Sequence, residues 1–304
     1  MLWYENFDRE VAEHLPEASV IADEPLSRHC SFRIGGPARR MAFPVTSGQL
    51  VMLDRIGRAC LAEPLVLGNG TNILFPDEGL DRLVVSTREL CRMERTGETE
   101  IRAEAGLSLA RLAVFAQQNE LTGLEFAHGI PGSVGGAVCM NAGAYGGEMK
   151  DVLVGAQIWF PEEGVRFLTV EEMDLGYRHS ILTEHPDAVV LYAVLHLEKG
   201  DGAAIRQRMD ELMARRKASQ PLEFPSAGST FKRPVGYFAG ALIEQAGLKG
   251  ASVGGAQVSP KHAGFVINTG DATCADVKAL IAHIRKTVLE KDGVLLEPEV
   301  RIID

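Results

Sequence analysis

The side chains and backbone best suited to chemistry in this 304-residue chain lie in glycine-rich and hydroxyl-rich stretches. Residues 129–147, GIPGSVGGAVCMNAGAYGG, hold seven glycines in 19 positions, against 32 in the 304 of the whole chain. Glycine permits positive φ and lets main-chain N–H groups converge with no Cβ in the way, which is how a backbone nest for an anion is built. A tight-turn cluster or an Ω-loop without a ligand uses glycine in the same way, so the count alone leaves both readings open. A second stretch, Gly68-Asn69-Gly70-Thr71-Asn72, follows the apolar run at 64–67 and ends in small polar residues suited to phosphate oxygens. Ile73 stands where the third glycine of a dinucleotide fingerprint would be, and no Gly-Lys-Ser/Thr triplet occurs, so the P-loop kinase and classical dehydrogenase readings lose support. Two separate nests in successive parts of the chain suit the extended diphosphate of a dinucleotide cofactor.

Three further stretches carry reactive groups. In Tyr177-Arg178-His179-Ser180 the Arg178 guanidinium can take a carboxylate bidentately, although a surface arginine would look the same. In Gly228-Ser229-Thr230-Phe231-Lys232, Ser229 precedes a cation by three positions. A hydroxyl is a useful proton donor only where positive charge stabilises the alkoxide, and a turn serine bonded to its own backbone is the plainer alternative. In Leu296-Glu297-Pro298-Glu299-Val300-Arg301, alternation puts Glu297, Glu299 and Arg301 on one strand face, opposite Leu296, Val300 and Ile302; a solvated edge face would read identically. His128 adjoins the long glycine stretch with no partner evident in sequence. There is no Gly-x-Ser-x-Gly elbow and no His-x-x-x-His spacing, which leaves hydrolase and metalloenzyme readings weak and no metal expected.

The elements that must position these groups form a mixed α+β pattern. A polar N-terminal helix is followed by strand, turn and strand over 31–45, a helix from Thr46 with Leu50, Leu53, Ile56 and Cys60 on one face, and a short strand at 64–67. Residues 83–85 close a first unit near residue 88. The second unit opens with the alternating strand 100–104 and a helix capped by Ser108, and holds strands at 152–160 and 188–197. A helix over 203–219, with Ile205, Met209, Leu212 and Met213 facing inward, leads into a third unit beginning near Gly200. That unit holds a loop at 226–234, a helix from Tyr237 ended by Gly247, paired strands around Gln257 and Phe265, a long helix from the capping-box residue Thr273, and a final strand at 294–303. The expected division is 1–88, 89–199 and 200–304. The absence of a regular βαβαβ rhythm disfavours a doubly wound sheet.

Composition narrows the function classes. A formal net charge of −10 and a pI near 5.4 argue against nucleic acid as a partner, since such binders need a basic surface that releases counterions. Five cysteines, odd in number and in no Cys-x-x-Cys pair, suggest neither a disulfide framework nor a zinc site and fit a reducing cytoplasm. The acidic start of the chain does not resemble a signal peptide, and no apolar run approaches the roughly 18 to 20 residues that span a bilayer.

Taken in order, Ser31-Phe32-Arg33-Ile34-Gly35-Gly36-Pro37-Ala38, Leu67-Gly68-Asn69-Gly70-Thr71-Asn72, the 129–147 stretch, Tyr177-Arg178-His179-Ser180, Ala227-Gly228-Ser229-Thr230-Phe231-Lys232 and Glu297-Pro298-Glu299-Val300-Arg301 closely resemble the UDP-N-acetylenolpyruvoylglucosamine reductase family over nearly the whole chain. The resemblance implies an α+β fold: a two-part FAD-binding module of the vanillyl-alcohol-oxidase type, then a C-terminal α+β substrate domain. It implies non-covalent FAD, NADPH as reductant, and UDP-N-acetylglucosamine enolpyruvate as the small-molecule substrate of a cytoplasmic, monomeric enzyme of peptidoglycan precursor synthesis. The matching positions make Arg178, Ser229 and Glu299 catalytic: Arg178 and Glu299 stabilise the charge that develops on the substrate, and Ser229 protonates it. They make Gly68, Asn69, Gly70, Thr71, Asn72, Gly129, Pro131, Gly132, Ser133, Gly135, Gly136, Ala137, Asn141 and Gly143 contacts of the cofactor, and Lys232, Gln257 and Tyr145 contacts of the substrate. Only 37 positions separate Arg178 from Arg215, which leaves no room for the tyrosine-loop insertion of one branch, so the chain resembles the shorter branch. Cys30 stands where threonine is common in the family. A flavin oxidase on the same module is the first rival. Many such oxidases tether flavin through a histidine at the first glycine loop, and 68–72 has none. A non-catalytic nucleotide-binding module is the second, and it leaves Arg178, Ser229 and Glu299 unexplained.

Overall fold

A computed structural model describes residues 2–303. The helices are α1 (Trp3–His14), α2 (Ser47–Ala59), α3 (Leu109–Gln118), α4 (Val134–Cys139), α5 (Gly202–Ser219), α6 (Ala239–Gln245) and α7 (Cys274–Asp292). Several begin where the sequence puts a side-chain acceptor. Thr46 accepts from the Gln49 amide ahead of α2, and Ser108 accepts from the Arg111 amide ahead of α3. Ahead of α7, Thr273 and Asp276 form a reciprocal capping box at 3.0 Å in each direction. Glycine ends α7, where Gly293 takes a left-handed φ of 68°. The N-terminal helix is less polar than its composition suggests, because Phe7 and Val11 are buried along one face.

The chain folds into two compact units. The first comprises Met1–Ala22, Arg40–Asn69 and Asp81–Arg215, and the second Asp23–Arg39, Gly70–Leu80 and Arg216–Asp304. Both are discontinuous in sequence. In the first unit, a five-stranded sheet runs Gly164–Thr169, Leu153–Phe160, Val189–His196, Glu100–Glu104, Met93–Arg95, antiparallel throughout. One apolar cluster, including Ile101, Leu112, Val138, Ile158 and Leu195, joins this sheet to α3 and α4. A second, including Phe7, Leu50, Leu53, Leu83 and Trp159, gathers α1 and α2 over Leu65–Leu67 and its parallel neighbour Leu80–Ser86.

The second unit carries an antiparallel sheet in the order Ser226–Ser229, Phe265–Asn268, Ala256–Val258, Ser252–Val253, with α7 supplying the buried Val277, Leu280, Ile281 and Ile284. Among the described residues, no helix is long and apolar enough to cross a membrane.

Four expectations need correction. Residues 31–34 are not a strand. Ser31 N donates to Gly70 O at 3.0 Å and Arg33 has φ +56°, so the chain turns there, and only Pro37–Phe43 is extended. Residues 226–229 are a strand instead of loop, with the pairing interrupted near Gly228, whose left-handed φ of +75° bulges the strand. The helix expected from Tyr237 begins only at Ala239. The long final strand shrinks to Arg301–Ile302, parallel to Ile73–Leu74, because Pro298 has no N–H to extend a ladder.

Candidate active site

Gly68 leaves the strand Leu65–Leu67 and passes so close to the second glycine stretch that a Cβ there would lie 2.4 Å from Ser133 Oγ. The two stretches therefore meet inside the first unit, and glycine at 68 is what lets them. Gly70 has a different reason. Its φ is +60°, a Cβ would sit 2.2 Å from the His29 carbonyl oxygen, and its own carbonyl accepts from the Ser31 amide. Asn69 and Thr71, on either side of Gly70, are half-buried. Asn72 faces the C-terminal strand: its Nδ2 donates to the Glu299 carbonyl at 3.0 Å, and its carbonyl accepts from the Arg301 amide at 3.1 Å.

The second stretch is strapped to the α3 side of the first unit. Leu109 N donates to Gly132 O, Val134 N to Leu107 O and Gly135 N to Ala105 O, at 2.8 to 3.0 Å. Among the described residues none of these ties uses the amides of Gly132 or Ser133, which lie where the two stretches meet, beside the exposed Pro131 and Gly136. Backbone donors at this junction fit an anionic group such as a cofactor diphosphate. Other glycines serve packing: a Cβ at Gly135 would press on Ala105, one at Gly143 on Glu148, and one at Gly147 would lie 2.7 Å from the Phe126 ring. Gly129 is half-buried and Ala137 is buried, the latter inside α4.

Arg178 occupies a turn closed by paired bonds between Gly176 and His179, and its own φ is +54°. A non-glycine residue in this region is strained and is held there by its surroundings. Two side chains do the holding. Asn141, buried and itself at φ +41°, donates from Nδ2 to the Gly176 carbonyl at 3.1 Å and to Glu148 at 2.9 Å, while its Oδ1 accepts from Lys150 N. Ser180, fully buried, donates from Oγ to the Cys139 carbonyl at 2.7 Å. The Arg178 turn is thus anchored to the second glycine stretch, and Asn141, a cofactor contact by resemblance, has its side chain engaged by protein on every side. Tyr145, nearby in sequence, lies with Arg215 over its ring at 5.0 Å.

In the second unit, Ser229 and Glu299 fall on paired backbones. Glu299 N donates to Thr230 O at 2.8 Å, Phe231 bridges Pro298, and Lys232 N donates to Glu297 O at 2.9 Å. Ser229 and Glu299 are both half-buried, and the Lys232 ammonium pairs with the Glu297 carboxylate. Gln257 is held by Ser252 Oγ at 3.1 Å. Ser31, Ser180 and Glu297 gained no role from sequence. Ser31 Oγ donates to the Ser226 carbonyl at 2.6 Å, ahead of Ser229, a contact between residues 195 positions apart that no local pattern encodes. Burial, with the Arg206 charge adding to it, pushes the His128 imidazole below its ordinary range, and its Nδ1 is buried with no partner among the described residues.

Comparison with known proteins fits this arrangement. Residues 41–168 match an FAD binding domain, and residues 220–303 match the UDP-N-acetylenolpyruvoylglucosamine reductase C-terminal domain. The UDP-N-acetylenolpyruvoylglucosamine reductase of Caldanaerobacter subterraneus is 49% identical over 97% of both chains, and that of Levilactobacillus brevis 48% over 97% of this chain and 96% of its own. The crystal structure of the Thermus caldophilus reductase superposes with a TM-score of 0.80 at 35% identity, covering 94% of this chain and 99% of that one. An alkyldihydroxyacetonephosphate synthase, 16% identical with a TM-score of 0.50 over 64% of this chain and 44% of its own, shares the fold alone. The α+β reading, an FAD module of the vanillyl-alcohol-oxidase type followed by a C-terminal domain, therefore holds, and the chain belongs to the UDP-N-acetylenolpyruvoylglucosamine reductase family.

Proposed function

We propose that this chain reduces UDP-N-acetylglucosamine enolpyruvate to UDP-N-acetylmuramate with NADPH and bound FAD, a step in making peptidoglycan precursors. The observation that carries the reading is the pairing of Ser229 and Glu299 on neighbouring backbones of a reductase C-terminal domain, in a chain whose other matched domain binds FAD. Gly68, Asn69, Gly70 and Thr71 and Gly129, Pro131, Gly132, Ser133, Gly135, Gly136 and Ala137 would line the cofactor, with the amides of Gly132 and Ser133 as donors to its diphosphate and Asn72, Asn141 and Gly143 shaping the loops. FAD, when bound, supplies to the methylene carbon of the enolpyruvyl ether a hydride drawn from NADPH.

The protein's own residues manage the charge and the proton. Addition at the methylene leaves negative charge on the neighbouring carbon, delocalised into the carboxylate. Arg178 pairs with that carboxylate through its guanidinium, and Glu299, as the carboxylic acid, donates a hydrogen bond to it as the charge grows. Ser229 passes its Oγ proton to the carbon, and the Lys232 ammonium stabilises the alkoxide that remains. Lys232 also meets the substrate diphosphate, with Gln257 and Tyr145 as further substrate contacts.

In this reading the FAD is non-covalent, so acid precipitation releases yellow flavin into the supernatant. The protein works in the cytoplasm as a monomer, which sedimentation would check. The domains in this reading are 1–88, 89–199 and 200–304, and one apolar cluster of the first compact unit falls almost wholly within 89–199. The deciding assay adds UDP-N-acetylglucosamine enolpyruvate to FAD-loaded protein and NADPH. Substrate-dependent NADPH oxidation with formation of UDP-N-acetylmuramate supports the reading, and oxidation that is indifferent to the substrate overturns it.

A further inference from the structure

We propose that Glu297 is a resident competitor for Lys232: its carboxylate occupies the ammonium until a diphosphate-bearing ligand displaces it, and so sets how tightly that ligand binds. The inference rests on the reading of Lys232 as a contact of the substrate diphosphate. Lys232 and Glu297 stand opposite each other on paired backbones, through the Lys232 N to Glu297 O bond and the adjoining Phe231–Pro298 bridge. Their side chains form an ion pair while remaining 38% and 69% exposed. A pair so hydrated is weak, and a phosphate group, carrying more charge and several acceptors, can replace the carboxylate. Next along the same pairing, Glu299 N bonds Thr230 O, so the exchange takes place beside Ser229 and Glu299.

Two consequences follow from the charges. Without ligand, Glu297 neutralises Lys232 and keeps the segment from holding unrelated anions. With ligand, the displaced carboxylate stays as a negative neighbour of the diphosphate and weakens its hold. Removing only the charge of Glu297 relieves both effects, and the benefit passes entirely through Lys232.

The test measures UDP and uridine binding by titration calorimetry on the FAD-loaded enzyme, in the parent, Glu297→Gln, Lys232→Met and the double variant. We expect Glu297→Gln to tighten UDP about three- to fivefold, the upper part of what a surface pair provides, with uridine unchanged and no gain in the Lys232→Met background. The KM for substrate should fall in step with the tighter UDP binding. Unchanged or weaker UDP binding in Glu297→Gln, where Lys232→Met does weaken it, overturns the competitor role and leaves the Lys232 reading standing. Equal tightening of uridine overturns it too, since the effect would not be electrostatic at the diphosphate. UDP binding indifferent to Lys232→Met overturns the reading of Lys232 itself, and the inference with it.

Discussion

A hydroxyl gives up its proton only where positive charge stabilises the alkoxide, and in the proposed reading Lys232, three positions after Ser229, supplies that charge. Ser229→Ala should leave reduction of the bound flavin by NADPH intact and slow its reoxidation by substrate on the order of 10²-fold or more, the usual cost of removing one positioned polar group. Stopped-flow traces of the yellow flavin band resolve the two phases, and substrate reoxidation at the parent rate removes Ser229 from the role. Gly68 acts through what it lacks. In Gly68→Ala the new methyl would lie 2.4 Å from Ser133 Oγ, so that hydroxyl must turn out of its place between the two stretches, at about 1 kcal/mol for a displaced rotamer. Flavin content after purification should drop, and Ser133→Ala in the same chain should restore part of it by removing the clashing oxygen.

At the scale of elements, the long helix α7 is capped twice. Its own capping box joins Thr273 and Asp276, while Asp77, nearly 200 residues earlier, accepts from Cys274 N at 2.8 Å and Ala275 N at 3.2 Å. A carboxylate on these first amides also meets the positive end of the helix dipole. Asp77→Ala should therefore lower unfolding free energy by about 1 kcal/mol in urea titration, with the flavin site unaffected because the lost contact lies at the helix N-terminus. The Arg178 turn depends on a different brace. Asn141 holds the Gly176 carbonyl, so Asn141→Ala should loosen a residue already strained at φ +54° and lower kcat more than it raises the KM for NADPH. Unchanged kcat would show that the turn keeps its geometry without that bond.

For the molecule as a whole, two half-buried imidazoles contribute to the response to mild acid. Burial is the main cause that holds His128 and His262 below the ordinary histidine value of 6.5. The unfolded chain takes up protons near that value which the folded chain refuses. Stability is therefore complete above pH 6.5, falls as pH drops below it, and levels off only once the folded imidazoles also protonate. Denaturation midpoints measured between about pH 7.5 and about pH 5.5 should show the fall, and His128→Leu should make it shallower, since that ring has a buried Nδ1 without a partner among the described residues. An unaltered slope would place the effect elsewhere. Much of this architecture is already legible in the chain. Period and caps locate α2, α3 and α7, because helix starts are local chemistry, and six ordered motifs suffice to identify the family. Sequence alone could not separate the glycine that brings the two stretches together at Gly68 from those that leave room for a packed neighbour, as at Gly135 and Gly147. It could not show Asn72 reaching the Glu299 carbonyl, Ser31 reaching Ser226, or segments 23–39 and 70–80 folding with the C-terminal part. These are pairings between residues far apart in the chain, and distance along a sequence carries no record of contact; only the folded backbone decides which amide meets which carbonyl.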